Sequence, residues 1–434
     1  MTLDNRPPRD GGDERHLTGP ARTRAFLFIG ALYFLTNFAS PSLGLVDIPV
    51  SFFLKNRMHL DAHSTSVFRL LLSLPMIFGF VFGFIRDSWS PRGHGDKGHV
   101  LLFALATAAT YGVMTVLPPT YSVLLLGVLA ATIFFQMTSS VASGLTTILG
   151  QDNDQAGGMA SASLMASYLP QGLGFLTGGW LSGLLEGQSA DRAAHMLFGV
   201  AAVMMVLLAA AGLAGPREVY AAAERARTRN HVLHDLKRLA LHWPIYPVML
   251  MQIFWQFSPS TATVLQYHLT NTLHGSDAQW GEWNAIFICA FVPGLMIYAY
   301  LCRRIALKWL LLGGFGVGVL QMTPFLVITT ADGALIAAAA IGFLGAIAQG
   351  SLVDLLIRSS PRGLEGTTFM LFLACYWVSF RVGDLFGTTL YDRYGFIAPV
   401  IATIVSTALV LPLMLLVPRR LIQTRDGQPL AIVP

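Results

Sequence analysis

The feature that most constrains this chain is a succession of twelve apolar stretches, each about 20 to 30 residues long and separated by short polar or Gly/Pro-containing breaks. They lie near residues 25–54, 64–85, 99–117, 121–149, 158–184 and 194–214, then 245–272, 280–301, 309–329, 333–357, 366–390 and 396–418. One soluble core cannot bury that much apolar surface: 54% of the 434 residues are hydrophobic and only 12% are charged. Inside a bilayer no water satisfies the backbone, so each stretch must close its own hydrogen bonds, and a helix of about 20 residues does so while spanning the hydrocarbon. The short alternating strands of an outer-membrane barrel are absent from the pattern. The expected fold is an all-α polytopic membrane protein of twelve transmembrane helices in two pseudo-symmetric six-helix halves.

Charge placement divides the chain further. Residues 1–24 form a polar tail, 25–214 a first six-helix bundle, 215–244 a basic linker, 245–418 a second bundle and 419–434 a closing tail. The net charge of +5 does not point to nucleic acid, because the basic residues sit in short loops between apolar runs. With the N-terminus in the cytoplasm, 22 of the 28 Lys and Arg fall inside, four outside (Lys55, Arg57, Arg192, Arg393) and two within spans (Arg69, Arg381). The positive-inside rule then expects cytoplasmic termini and linker in a cell membrane. The absence of any Asn-x-Ser/Thr site agrees with a bacterial inner membrane. The first residues lack the short apolar region and cleavage site of a secretion signal.

The halves echo each other, as parallel transporter repeats do. Leu54-Lys55-Asn56-Arg57-Met58-His59 matches Leu269-Thr270-Asn271-Thr272-Leu273-His274 at an offset of 215, each after the first span of its half. Gly174 and Gly178 in span five answer Gly383 and Gly387 in span eleven at an offset of 209.

Several chemistries lack their residues. None of the four lysines follows a Gly, so no Walker A loop is present. Cys289, Cys302 and Cys375 show no metal or redox spacing and read as small core residues. His231 and His234 share a helical spacing that could bind metal, but a solvated linker explains them better. No paired carboxylates or activated nucleophile come together, so neither an enzyme nor a cofactor is expected.

Polar residues inside the spans mark a pathway. Spans three, six, nine and twelve are apolar nearly all round and suit lipid contact. Asp47 in span one, Arg69 in span two, Asp354 in span ten and Arg381 with Asp384 in span eleven must instead face an interior or a cavity, because an unpaired charge in hydrocarbon costs several kcal/mol. At 1.5 Å per residue, Asp47 lies about 10 Å and Arg69 about 8 Å below the outer ends of their spans, so they can pair, structurally or as a coupling site. Arg381 lies near the midplane, with Asp384 on the same helix face. Arg381 is the candidate anchor for an anionic cargo, held by Asp384 between transport events, with Tyr376 and Trp377 able to stack on a flat ring. Asn37, Ser40, Gln136, Ser140, Gln252, Trp255, Gln256 and Gln349 supply hydrogen-bonding groups, each of which could equally join helix to helix. Pro41, Pro49, Pro170 and Pro259 are expected to bend spans one, five and seven.

Gly83-Phe84-Ile85-Arg86-Asp87-Ser88, followed by Pro91, Arg92, Gly93 and Lys97, resembles the loop motif of the major facilitator superfamily, with Ser88 in place of a basic residue. The second half has Arg303, Arg304 and Lys308 there without a matching Asp. Pro361-Arg362-Gly363-Leu364-Glu365-Gly366-Thr367-Thr368-Phe369 resembles a segment of that superfamily's folate-biopterin transporter branch, to which muropeptide permeases are distantly similar. The resemblance implies a facilitator fold, alternating access, and a cytoplasmic gate that includes Gly83, Asp87, Arg92, Asp354 and Glu365, the last bracing the start of span eleven. The expected function is secondary transport of a small anionic or amphipathic, pterin-like or folate-like solute by a monomer in the lipid bilayer, coupled to protons or another ion. Drug efflux, a muropeptide-type permease and a non-transporting membrane assembly factor are the alternatives.

Overall fold

A computed structural model of the chain describes residues 17, 19–42, 45–60, 62–186, 189–226 and 232–429. Most of the first tail, Arg227, Arg229 and His231 of the linker, and the last five residues lie outside the described residues. All regular structure among the described residues is helical. Helices occupy each of the twelve expected segments, and among the described residues nine of them are long and apolar enough to cross a membrane. The chain is a multi-pass membrane protein.

Of the other three, spans one and seven are broken. Span one runs as Gly19–Phe38, turns through Ser40 and Pro41, restarts as Asp47–Phe52 and ends in a π-helical turn, Phe53–Arg57. Span seven runs as Ile245–Gln256, breaks around Pro259, restarts as Thr263–Tyr267 and ends in a π-helical turn, His268–Thr272. A proline has no N–H to give and pushes the residue before it out of the α region, so the helix stops just ahead of it. The two π turns begin at 53 and 268, and left-handed residues follow at His59 (φ 53°) and His274 (φ 54°). Both spacings are 215, the offset of the sequence echo, so backbone irregularities repeat along with residues. Span five, Ala156–Glu186, is a continuous 31-residue helix with Ser and Gly among its apolar residues, and Pro170 does not interrupt it. Span two divides at Phe78 into Ala62–Ile77 and Gly79–Ser88.

Burial follows the expected layering. In span four (Tyr121–Asp152) every residue from Ser140 to Gln151 is buried, and in span ten (Ala331–Ser359) every residue from Ala348 to Ser359. Spans three, six, nine and twelve present exposed apolar side chains, among them Val113, Val203, Leu312 and Ile401. Such rows are what a lipid-facing surface requires. The halves meet chiefly through span five against span eight (Asp277–Leu301) and span two against span eleven (Glu365–Tyr394). The end of the molecule that carries the linker helices Arg217–Ala226 and Val232–Leu241 is called the linker end below.

Candidate functional site

At the linker end, a chain of buried charges closes the seam between spans two and eleven. Arg86 and Asp87 occupy the last turn of Gly79–Ser88 and are 3% and 6% exposed. Arg86 donates from Nε to Asp96 Oδ1 (2.9 Å), from a second nitrogen to Asp96 Oδ2, and from the third to Asp87 Oδ1 (2.7 Å). Asp87 Oδ2 accepts the Thr367 backbone N–H and hydroxyl, each at 2.7 Å. Thr367 lies in the first turn of span eleven, where N–H groups have no helical partner and the dipole favours an anion. Asp87 therefore caps a helix of the other half. The seam is close: a Cβ on Gly83 would stand 2.5 Å from the Gly366 carbonyl oxygen, so only glycine fits.

The expected gate residues fall unequally around this seam. Asp87 and Gly83 lie in it. Arg92 does not: it is exposed, with φ at 49° in the turn Pro91–Gly93, and the buried cation beside Asp87 is Arg86. Glu365 is buried; its Oε2 accepts the Gly363 N–H at 3.0 Å and bends the Pro361–Gly363 loop back onto the helix start. Asp354 is fully buried on span ten, accepts from Arg358 Nε at 2.6 Å and from the Tyr298 hydroxyl at 2.8 Å, and stands close to Gly157 of span five. Gln151 Nε2 donates to the Ile357 and Ser360 carbonyls (2.7 and 2.8 Å), and Arg362 pairs with Asp152 at 2.7 Å, so spans four and ten are joined here too.

Arg381 stands about half of the helix length away from this seam, roughly 24 Å along span eleven from Glu365 at 1.5 Å per residue. It is half-buried, and its Nε is enclosed without a hydrogen-bond partner among the described residues. Its guanidinium carbon lies 6.0 Å from the ring centroids of both Trp377 and Phe380. Tyr376 stacks on Phe380 (5.8 Å, 6°) and meets Trp377 edge-on (5.0 Å, 86°). Arg381 interacts electrostatically with Asp384 on its own helix and with Arg69 and Asp47 from the other half, and Asp47 feels Arg69 more strongly than Arg381. The four ionisable residues singled out on spans one, two and eleven thus form one cluster across the halves.

Two expected roles change. Asp384 does not hold the Arg381 guanidinium: its oxygens accept the Thr263 N–H (3.0 Å) and hydroxyl (2.9 Å), capping the helix that restarts span seven after its break. Most of the expected polar lining is also consumed in joints. Asn37 donates to Tyr33 and accepts from Gln171 (3.0 Å), tying span one to span five. Gln136 donates to the Pro75 carbonyl at 3.4 Å, where span two is about to break. Gln349 accepts from Trp255 Nε1 (2.8 Å) and Gln256 Nε2 (3.3 Å), joining spans ten and seven. Gln252 is buried with Oε1 unpartnered among the described residues.

Sequence reading missed Asp96, Arg358 and Gln151, and it named Arg362 only as part of a loop motif. An Asp nine positions after another Asp in a short loop was the available signal for Asp96; the others lie in ordinary helix ends. Outside the spans, burial pushes the pKa of His242 down even though its ring Nε2 donates to the Ser359 carbonyl at 2.9 Å.

Among solved structures, the chain is similar to the major facilitator superfamily transporter FucP in its outward conformation (TM-score 0.67, 13% identity, 89% of this chain and 97% of that one). It is similar also to the proton:xylose symporter XylE bound to 6-bromo-6-deoxy-D-glucose (0.69, 14%, 95% and 98%) and to the human organic anion transporter MFSD10 (0.66, 15%, 91% and 100%). At these identities the likeness establishes the fold, that of the major facilitator superfamily. No curated protein sequence matches the chain. The family model described as the BT1 family matches residues 42–312, more than half of the chain. That match begins just after the break in span one and takes in Arg86, Asp87 and the linker, and with it the chain belongs to the BT1 family.

Proposed function

We propose that the protein is a secondary active transporter that carries a small, flat, anionic organic solute by alternating access, coupled to a proton or another ion. The observation that carries this reading is Arg381, a half-buried guanidinium near mid-span with an unpartnered Nε, set against Trp377 and Phe380. A guanidinium offers a planar fork of donors to a carboxylate or enolate edge, and the rings beside it suit stacking. A purely structural Arg would be expected to have its donors taken, since an unmet charge in low dielectric is costly. Asp47, across the seam and in reach of the same guanidinium, is the carboxylate placed to exchange a proton or answer the cargo's arrival. A pterin or folate meets these requirements; the two loop motifs favour that branch, and membership of the BT1 family leans the same way. A non-transporting assembly factor would have no use for such a cation.

A thermal-shift screen of the purified protein against pterins, folates, nucleosides, peptides and lipophilic drugs tests the reading. A ligand at 100 times its Kd adds about 2.7 kcal/mol. Stabilisation by pterins or folates that disappears in Arg381→Gln supports it, and stabilisation by neutral or cationic compounds alone sinks it.

A further inference from the structure

We propose that Asp426, in the tail after span twelve, is a second gate carboxylate that locks the linker end by capping span five of the opposite half. The proposal rests on the alternating-access reading above. Asp426 Oδ1 accepts the Gly157 N–H at 2.9 Å and Oδ2 accepts the Gly158 N–H at 3.0 Å, both in the first turn of Ala156–Glu186. The carboxylate is 5% exposed. Its own N–H donates to the Cys302 carbonyl at 2.9 Å, and the Gly427 N–H donates to the Asp154 carbonyl at 2.7 Å.

The repeat shows what this contact is. The offset of 209 between spans five and eleven places Gly158 on Thr367, the residue whose N–H Asp87 takes. Asp87 comes from the end of span two and caps span eleven; Asp426 sits against the end of span eight, the counterpart of span two, and caps span five. The second half carries Cys302-Arg303-Arg304 where the first carries its gate carboxylate, and the tail returns to that place and supplies one. Arg358 holds the tail there, donating to the Leu421 and Thr424 carbonyls (3.3 and 3.0 Å) and to the Thr424 hydroxyl (2.9 Å) while paired with Asp354. Both caps cross between the halves, so both must break when the linker end opens.

Asp426 also faces ionisable neighbours on every side. Asp354 and Arg358 approach from span ten and the Cys302 thiol from the end of span eight, while Arg22 and Arg303 line the same cavity of about 390 Å³. Burial, and then the Asp354 carboxylate, push its pKa up to about 6.

Spin-label distances in the full chain, freed of its three cysteines, test the proposal. One pair of labels replaces Lys97 and Lys308, at the linker-end starts of spans three and nine. The other replaces Val116 and Val327, exposed at the far ends of the same spans. Asp426→Asn should widen the first distance and narrow the second in a population enlarged roughly tenfold, as Asp87→Asn should. Fraying of the tail alone would move neither pair. Asp426→Ser serves if the Asn variant does not fold. Wild-type distances in a folded Asp426 variant, with Asp87→Asn shifted, would overturn the latch and leave the transport reading standing. Wild-type distances in both would overturn the latch and alternating access together.

Discussion

At the scale of single residues, Arg381 and Asp426 carry the two claims with the most consequence. For Arg381, Lys keeps the charge but loses the fork, so affinity for an anionic cargo should fall about tenfold in Arg381→Lys and about a hundredfold in Arg381→Gln. Titration of the purified variants measures both, and unchanged affinity in well-folded protein would return Arg381 to a structural role. Asp426 makes a pH prediction of definite sign. Its pKa is about 6 in the closed contact, above the ordinary value near 4 that a released tail would have, so the closed contact binds the proton more tightly. Its contribution to stability is then full below pH about 4 and is lost as pH rises through about 6. Wild type should lose thermal stability across that window relative to Asp426→Asn; parallel curves would contradict the assignment. The sequence showed which carboxylates and arginines were out of place in hydrocarbon, because that is a matter of composition against position. It did not show their partners. Asp384 chose Thr263 over Arg381 because a helix restarts at 263, and that restart is set by packing around Pro259. Asp426 lies in a short polar tail with no periodicity to flag it.

At the scale of elements, the first span of each half goes further than the bend expected and breaks into two helical pieces. The prolines signalled the breaks, yet only three-dimensional packing reveals why they persist. The piece of span one after its break packs on span five, and the piece of span seven after its break packs on span eleven. Gly387 lies where a Cβ would collide with the Pro259 carbonyl oxygen, and a Cβ on Gly383 would stand 3.1 Å from the Ser258 nitrogen. The span-eleven glycines of the sequence echo thus meet a packing requirement. Gly387→Ala should destabilise by about 1–3 kcal/mol through overpacking. Gly313, in span nine with no atom within 4 Å of a Cβ, should accept Ala with a gain of up to about 1 kcal/mol from helix propensity. Thermal unfolding of the pair decides it, and equal effects at the two sites would remove the close approach of span seven to span eleven.

At the scale of the whole molecule, the apolar pattern, the repeat and the basic linker were enough to read twelve spanning helices in two related halves, because bilayer thickness and backbone satisfaction leave few alternatives, and the resemblance of the two loop motifs implied the facilitator fold. Orientation rests on the charge bias, and single cysteines at Lys237 in the linker and at His274 after span seven should be labelled from opposite sides of a sealed vesicle. Labelling of both from one side would undo the topology. Transport itself is tested most directly by reconstituting the protein in vesicles and following the anionic solute found by thermal shift under an imposed proton or sodium gradient. Accumulation against the solute's own gradient, lost when the ion gradient is collapsed and strongly reduced by Arg381→Gln, is the expected result. Tight, Arg381-dependent binding with no solute crossing the membrane under any gradient, from protein whose linker end opens and closes, would contradict it.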